Sequence, residues 1–424
     1  MRGSGCFTVM KALIPIWISA TALTGAAADT PPVATGINGF GLELHRRLAD
    51  PDTGNVLTSP WSIASALAMT YVGAAGETRA EMAKTLHLGE DEAANHAGIA
   101  AIAADLAELA RASRERVENP DRHGGPETPL QIVTANRLFG QAGQPFEKPF
   151  LALLENTYAA PLEQVDFIRQ AGAARSRINE WVEERTRERI KDLIPGGVLD
   201  EETRLVLANA IYLKAAWAAP FREEPELAFH VDGAGQAKVP GLVHQAPYGY
   251  RQIPGGTLIS VPYEGGGLQF LIALPDARDG LAALENQIDA ARLAEAARLP
   301  KREVILRLPK FKLEPGRIML ADHLKAMGMP RAFDVPQGSA DFSRMAPRKP
   351  DDYLYIDNVI HKAFIDVNQD GTEAAAATAV IMMRATSRAA DPPAEVRVDR
   401  PFLFAVQHVA SGTCLFLGRV TDPR

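Results

Sequence analysis

Apolar and polar positions alternate along this chain in two rhythms. A three-to-four-residue period marks helices at "SPWSIASALAMTYVGAAGETRAEM" and "INEWVEERTRERIKDLIP". In the first, Ser59 caps the helix, Pro60 fits its first turn and Gly73 lies near its end. Thr78 and Glu81 have capping-box spacing for the helix that follows. In the second, Ile178, Val182, Ile190, Leu193 and Ile194 share one stripe, which predicts a helix running on to Pro195. A two-residue period marks strands at "LVLANAIYLKAAW", "TLISVPY", "QFLIALP", "VILRLPKFKL", "VIHKAFIDV" and "PFLFAVQH". "RASRERVENPDRHGGPETP" (Arg111–Pro129) reads as a polar connection. With no internal repeat and no dividing linker, the pattern predicts one large α+β domain.

Two residues break the strand pattern. In "RLVLANAIYL", alternation groups Asn209 with Leu205, Leu207, Ile211 and Leu213. In "NVIHKAFIDV" it groups His361 with Val359, Ala363, Ile365 and Val367. An amide or imidazole on an apolar face needs hydrogen-bond partners, which Ser59 and Ser62 can supply. Two unrelated satisfied core groups and one polar latch inside a sheet that opens are both consistent with this pattern.

Composition changes the picture little. The 424 residues are 46% hydrophobic and 23% charged, as in globular proteins with a sizeable core. The formal charge of −7 argues against a nucleic-acid partner. "MKALIPIWISATALTGAAADTPP" reads as an export signal: Lys11, the apolar stretch Ala12–Leu23, and Ala26-Ala27-Ala28 before the cut. Met10 reads as a start as readily as Met1. Removing residues 1–28 moves the charge from −7 to −9, and the apolar stretch is too short to span a membrane. A secreted or periplasmic location is expected, and the absence of N-x-Ser/Thr sequons fits a bacterial exported protein. Outside the signal only Cys414 remains, inside the apolar run "GTCLFLGRV", where it reads as a small buried hydrophobe. No G-x-S-x-G, H-E-x-x-H or CxxC motif points to a hydrolase or a metal site. Arg111, Arg114, Arg116 and Arg122 are interleaved with Glu108, Glu115, Glu118 and Asp121, a solvated mixed-charge face rather than a polyanion site.

Eight stretches, in order from about Gly39 to Pro423, resemble the serpin family. They are "NVLTSPWSIASALAMTYVGAAGETRAEM", "TANRLFG", "INEWVEERT", "LANAIYLKAAWAAPF", "LPKFKLE", "ADFSRM", "VIHKAFIDVNQDGTEAAAATA" and "RPFLFAVQHVASGTCLFLGRVTDP". The resemblance implies an α+β fold with three β-sheets, about nine helices and an exposed reactive loop at about 371–396, in a domain spanning 29–424. It also implies a suicide substrate for a serine endopeptidase. The cleaved loop would insert into the main sheet and trap the protease as an acyl-enzyme, a loop insertion that recurs as an example of strand addition and strain release. No catalysis, cofactor, metal or membrane contact is then expected, and the chain would act as a monomer.

The resemblance assigns residues one by one. Gly371, Thr372, Glu373, Ala374, Ala375, Ala376, Ala377 and Thr378 match the hinge of the loop. Ser59, Ser62, Asn209 and His361 match the shutter, where the sheet parts, and Trp217 matches the breach at its top. If the loop becomes a strand, Thr372, Ala374, Ala376, Thr378, Val380 and Met382 face inward, and the leading ones are small and uncharged. A charge or a proline there would stall insertion. Counting fourteen residues on from Gly371, as the family does, places the reactive bond at Ala385–Thr386. A small residue there suits an elastase-like or subtilisin-like protease. Arg384–Ala385 is the second choice and Arg388–Ala389 a further trypsin-type bond. Counting back from "RPF" instead points near Ala390–Asp391, because the loop is about five residues longer than usual. Two departures stand out: Gln369-Asp370 replaces the usual acidic residue and its neighbour, and "KAAWAAPF" lacks a glycine after its lysine. A non-inhibitory serpin (a carrier, a chaperone or a cleavable signal) is the rival reading, although such members usually break the small-residue rule obeyed here.

Overall fold

The computed structural model describes residues 32–50, 53–120, 127–231, 235–373 and 392–424. The signal-peptide reading of residues 1–28 lies outside them. The helix Pro60–Gly73 is at the centre of the molecule, and every one of its residues is buried. Ser59 caps it by accepting the Ser62 N–H, and Pro60 occupies the first turn, where its missing donor costs nothing. Such an all-apolar helix is stable only when covered on all sides. Its side chains join Leu207, Ile211 and Leu213 from one sheet and Phe404 and Phe416 from the other in a single buried cluster.

The described strands form two sheets, one of nine strands and one of eight. In the larger, the long strand Gly235–Ile253 pairs with Arg222–Val231 along its first part and with Gly256–Pro262 at its end. Two of the three expected sheets are therefore continuous through that strand. Among the described residues there are nine α-helices, the central helix Pro60–Gly73 included, in a single α+β domain.

The eight-stranded sheet is built around Leu205–Ala216. Gln131–Gln141 lies antiparallel along one side of it and Val359–Ala363 parallel along the other. Alternation divides its two faces cleanly. Leu205, Leu207, Ile211 and Leu213 enter the central cluster, while Val206, Ala208 and Ala210 pack beneath the helix Phe167–Arg185.

Three sequence expectations are corrected. The helix predicted to reach Pro195 stops at Arg185, and the chain folds back through positive-φ residues Arg187, Glu188 and Asp192. Thr186 Oγ1 donates to the Val182 carbonyl and accepts the Ile190 N–H. The Asn179 amide holds both the N–H and the carbonyl of Ile194. Ile178, Val182, Ile190, Leu193 and Ile194 still share one buried cluster, because a folded-back segment covers the same stripe. The Thr78–Glu81 capping box does not form. Helix Gly76–Thr85 starts from Ala75 with no side-chain cap; Thr78 Oγ1 accepts the Asp341 N–H, and Glu81 binds Arg331. The polar stretch from Arg111 is helical as far as Glu118, in a helix beginning at Glu92, with Arg111 paired to Glu108 and Glu115. Cys414 is buried, and burial pushes its thiol pKa up, so it is an inert core group.

The Asn179 bonds generate a test of the folded-back cover. Asn179→Ala leaves the Ile194 N–H unpaired and its carbonyl to Arg175 Nη1 alone, an expected loss of about 1–3 kcal/mol. The midpoint of urea unfolding reads it. An unchanged midpoint would show that the cover is held by its apolar side chains alone.

Candidate functional site

The polar residues on the inner face of the eight-stranded sheet converge on one network. His361 and Asn209 are opposite one another in the parallel register, and His361 Nδ1 lies 2.6 Å from Asn209 Oδ1. The Ser59 N–H donates to His361 Nε2 over 3.2 Å, so the ring proton is on Nδ1 and is given to Asn209. Asn209 Nδ2 donates to Ser62 Oγ at 2.8 Å and to Asn136 Oδ1 at 2.7 Å. Ser59 Oγ donates to the Leu415 carbonyl at 2.6 Å. One chain of bonds thus ties three adjacent strands to the start of the central helix and to the C-terminal hairpin. His361 is fully buried, and desolvation alone lowers its pKa to about 3, which leaves it neutral.

Sequence reasoning found Ser59, Ser62, Asn209 and His361 but missed Asn136 and Ser65. Asn136 pairs with Asn209 across the strands, and its amide also binds the Ser62 carbonyl and Ser65 Oγ. The available signal was Asn136 itself, a polar amide in the middle of "TANRLFG".

A second cluster closes the far end of the same sheet. Trp217 stacks on Tyr263 with centroids 4.6 Å apart and meets Phe221 and Phe270 edge-on. Its Nε1–H donates to the Asn368 carbonyl at 2.9 Å, and its backbone N–H to the Asp370 carbonyl at 2.9 Å. Trp217 therefore grips the turn that leads into Gly371. The departure at Gln369 is met locally: Lys310 Nζ donates to Gln369 Oε1 at 2.9 Å and to Glu223 Oε1 at 2.8 Å. A neutral acceptor stands at Gln369, and the ammonium charge is balanced by Glu223 instead.

Between these clusters the sheet is already parted. Leu205–Ala216 pairs with Val359–Ala363 only from Leu207 to Ile211. Further up, Gly371 and Thr372 lie between Ala215–Ala216 on one side and Val367 on the other, as a two-residue strand. A Cβ at Gly371 would sit 2.1 Å from the Ala215 carbonyl oxygen, so only glycine permits this approach. Thr372 Oγ1 is 2.6 Å from the buried Tyr263 hydroxyl. Glu373 takes the opposite face. Its N–H donates to the Asp366 carbonyl, it adopts a left-handed φ of 51°, and its carboxylate pairs with Arg189. Desolvation pushes the Glu373 carboxyl pKa up, and the Arg189 and Tyr212 contacts oppose the rise. The remaining hinge candidates Ala374–Thr378 and the reactive-bond candidates Arg384, Ala385, Thr386, Arg388 and Ala389 lie outside the described residues. So does the Ala390–Asp391 alternative. Among the described residues no cluster of ligating side chains could hold a metal, and no helix is long and apolar enough to cross a membrane.

This geometry generates three predictions. His361→Leu strands Asn209 Oδ1 and the Ser59 N–H, at about 1–3 kcal/mol each. Sheet opening, read as loop–sheet polymerisation on warming at pH 7, should speed up by about tenfold or more. Acid should act on the same bond. A histidine held near pKa 3 when folded and about 6.5 when unfolded contributes stability above pH 6.5. That contribution fades as pH falls from about 6.5 towards 3, by up to about 1.4 kcal/mol per unit. Acidification from pH 7 to 5 should therefore accelerate the parent more than the variant; equal acceleration would remove His361 from the account. Separately, Glu373→Gln or Arg189→Gln should raise amide exchange at Thr372 and Glu373 about fivefold, the scale of a partly exposed ion pair. Exchange over residues 207–211 should stay unchanged. Equal protection at Glu373 would mean that the strand pairs hold it without the ion pair.

Comparison with known proteins agrees with the arrangement. Residues 35–423 match the family model described as Serpin (serine protease inhibitor). The chain is 36% identical to bovine (Bos taurus) leukocyte elastase inhibitor over 397 residues, covering 91% of this chain and 97% of that protein. It is 35% identical to an uncharacterized serpin-like protein of Thermococcus kodakarensis, covering 93% of this chain and 86% of the other. Among solved structures it resembles Serpin48 of the insect Tenebrio molitor, with a TM-score of 0.75 and 28% identity. That match covers 94% of this chain and all of the other. It resembles cleaved Serpin 42Da with a TM-score of 0.76 and 28% identity, over 93% and 99% of the two chains. The chain belongs to the serpin family.

Proposed function

We propose that this chain inhibits a serine endopeptidase as a suicide substrate, with Gly371–Thr372 as the start of a strand that extends after cleavage. The observation that carries the reading is the register of that short strand. Gly371 opposite Ala216 and Thr372 opposite Ala215 set an antiparallel pairing. Continued through an inserted loop, it would set Thr378 opposite Asn209 and Met382 opposite Leu205, the last residue of the central strand. Insertion along this line displaces Val359–Ala363 from Leu207–Ile211 and breaks the His361–Asn209 bond. That gives Ser59, Ser62, Asn209 and His361 the role of shutter, and Trp217, which holds the turn before Gly371, the role of breach.

The same register bears on the reactive bond. The central strand offers no partner beyond Leu205, so the insertable segment ends near Met382 or Met383. Ala385–Thr386 follows directly, with Arg384–Ala385 beside it. Arg388–Ala389 and Ala390–Asp391 would leave several residues between the protease and the new strand. In the favoured case the protease serine Oγ forms an ester with the Ala385 carbonyl carbon. The C–N bond breaks, and Thr386 leaves as a free amine carrying the proton from the serine. Twelve inserted residues span roughly 40 Å, enough to drag the ester-linked protease along the sheet before water reaches it. Small residues from Ala374 to Ala379 keep that insertion fast. An elastase-like or subtilisin-like target agrees with alanine at the bond, and the relatives named as elastase inhibitors support it. The inhibitor would work as a monomer. Export, and a bacterial origin with it, rests on the N-terminal pattern and the absent sequons alone.

The test is incubation with an elastase, a subtilisin and a trypsin, followed by denaturing gels and intact mass. The expected outcome is a denaturation-resistant complex and a released peptide of residues 386–424. A peptide beginning at Ala385 or Ala389 would assign the specificity to arginine. Clean cleavage without complex, and no gain in heat stability of the cleaved form, would favour a non-inhibitory serpin.

A further inference from the structure

His244 is a titratable group outside both the polar network of the sheet and the first ring contacts of Trp217. It lies on the strand Gly235–Ile253, where alternation sets it on one face with Leu242, Ala246 and Tyr248. Across the strand pair it is opposite Leu306. Its Nδ1 is 2.7 Å from the hydroxyl of Tyr248, which is buried. The imidazole tilts against the Phe221 ring with centroids 5.6 Å apart, and Tyr248 stacks on the same ring at 6.4 Å. Phe221 in turn meets Trp217 edge-on at 5.7 Å, and its backbone N–H donates to the Gln369 carbonyl at 2.8 Å. Trp217 and Phe221 together thus hold the three consecutive carbonyls of Asn368, Gln369 and Asp370 before Gly371. His244 and Tyr248 form the wall behind Phe221.

The charges around His244 come from two neighbouring strands. Arg222, on Arg222–Val231, opposes a proton on the ring, and Glu303, on Lys301–Pro309, favours one. Glu303 also accepts the Gln245 amide at 3.0 Å. Arg307 pairs with Glu224 and Lys310 with Glu223. Burial is the largest influence and holds the His244 pKa below the ordinary histidine range. With its proton on Nε2, the neutral ring accepts the Tyr248 O–H at Nδ1. A protonated ring must donate there instead. The hydroxyl proton of Tyr248 then turns away from its one acceptor among the described residues, inside a buried site.

We propose that His244 is a proton-controlled catch on the turn before Gly371, a regulation of the insertion site that rests on the inhibitory reading above. Neutral His244 and Tyr248 press Phe221 against Trp217, and those two residues hold the turn. Protonation opens the wall behind Phe221 and frees the turn, so insertion starts more readily in acid. The catch is closed above the ordinary histidine value of about 6.5 and opens as pH falls through the lower value of the folded chain.

Hydrogen exchange of the full chain without protease tests the catch, read as protection factors so that the intrinsic pH dependence of exchange drops out. Protection of the Trp217 and Phe221 amides should fall about tenfold between pH 7.5 and pH 5 in the parent. His244→Asn, whose Oδ1 accepts the Tyr248 O–H but takes up no proton, should keep protection level over this range. Tyr248→Phe removes the bond that favours the neutral ring and should move the midpoint of the fall to higher pH. Level protection in the parent overturns the catch. A fall retained in His244→Asn assigns the effect to other groups, such as the Asp370 carboxyl that burial pushes up, and overturns the role of His244. An unmoved midpoint in Tyr248→Phe overturns the part given to the hydroxyl. Dilute chain held at pH 5 should also gain heat stability by loop insertion about fivefold faster in the parent than in His244→Asn. Equal rates overturn the link to insertion. A chain with the expected protection profile that traps no elastase, subtilisin or trypsin would support the catch and overturn the inhibitory reading instead.

Discussion

A neutral imidazole bonded to an amide across two parallel strands is the joint on which this molecule turns. His361 and Asn209 stand on the inner face of the sheet among Leu205, Leu207, Ile211, Leu213, Val359 and Ile365. Neither could remain there alone, because a buried polar group without a partner costs more than the bond returns. The surrounding structure is therefore obliged to supply partners. Ser59 does so with its backbone N–H, which is free because it begins a helix, and Ser62 with a side chain one turn along. Capping the helix and closing the sheet draw on the same few atoms.

That sharing explains how one local change spreads. Opening the sheet at Asn209 parts it from His361, so the imidazole Nδ1–H and Asn209 Oδ1 are left unsatisfied at once. Such a network is stable when complete and poorly tolerant of half measures. The other end of the seam is different in kind. Trp217, Tyr263, Phe221 and Phe270 meet there through rings, with hydrogen bonds only to the turn at Asn368–Asp370 and to Thr372. Ring packing accommodates a sliding strand better than a network of fixed partners. The wedge of Gly371 and Thr372 occupies that tolerant end.

Much of this was legible in the chain because strand alternation is rigid. A period of two leaves no freedom about which face Asn209 or His361 takes, so each stands out among apolar neighbours. Asn136 did not stand out: on its own face it follows Thr134, a polar residue, and the strand is only half-buried there. The end of the helix Phe167–Arg185 was hidden for another reason. Apolar spacing reports which side chains are buried, and a chain folded back through Thr186 and Asn179 buries the same ones. Thr78 and Glu81 have local capping spacing, yet their partners Asp341 and Arg331 are distant in sequence. The Arg189–Glu373 pair, too, required the fold. Spacing shows what a segment can do locally and is silent when a remote group makes a better offer.

The unequal edges of the central strand favour one side of it for the proposed insertion. On the side of Gln131–Gln141, residues 205–214 are paired without a break. On the other side only Leu207–Ile211 pair with Val359–Ala363, and only Ala215 and Ala216 with the wedge. Tyr212, Leu213 and Lys214 fall between those two partners. A continuous twelve-residue strand would pair the whole edge, and each new backbone bond is worth about 0.5–1.5 kcal/mol net. It would also move the buried Glu373 carboxylate from a left-handed backbone into an extended one. Against this stand the five existing parallel pairs and the imidazole–amide bond, which must break before the new ones form. The gain comes late and the cost early. A closed sheet of this construction is held by a barrier, and the position of His361 at the centre of the five pairs puts the strongest polar contact where the barrier is.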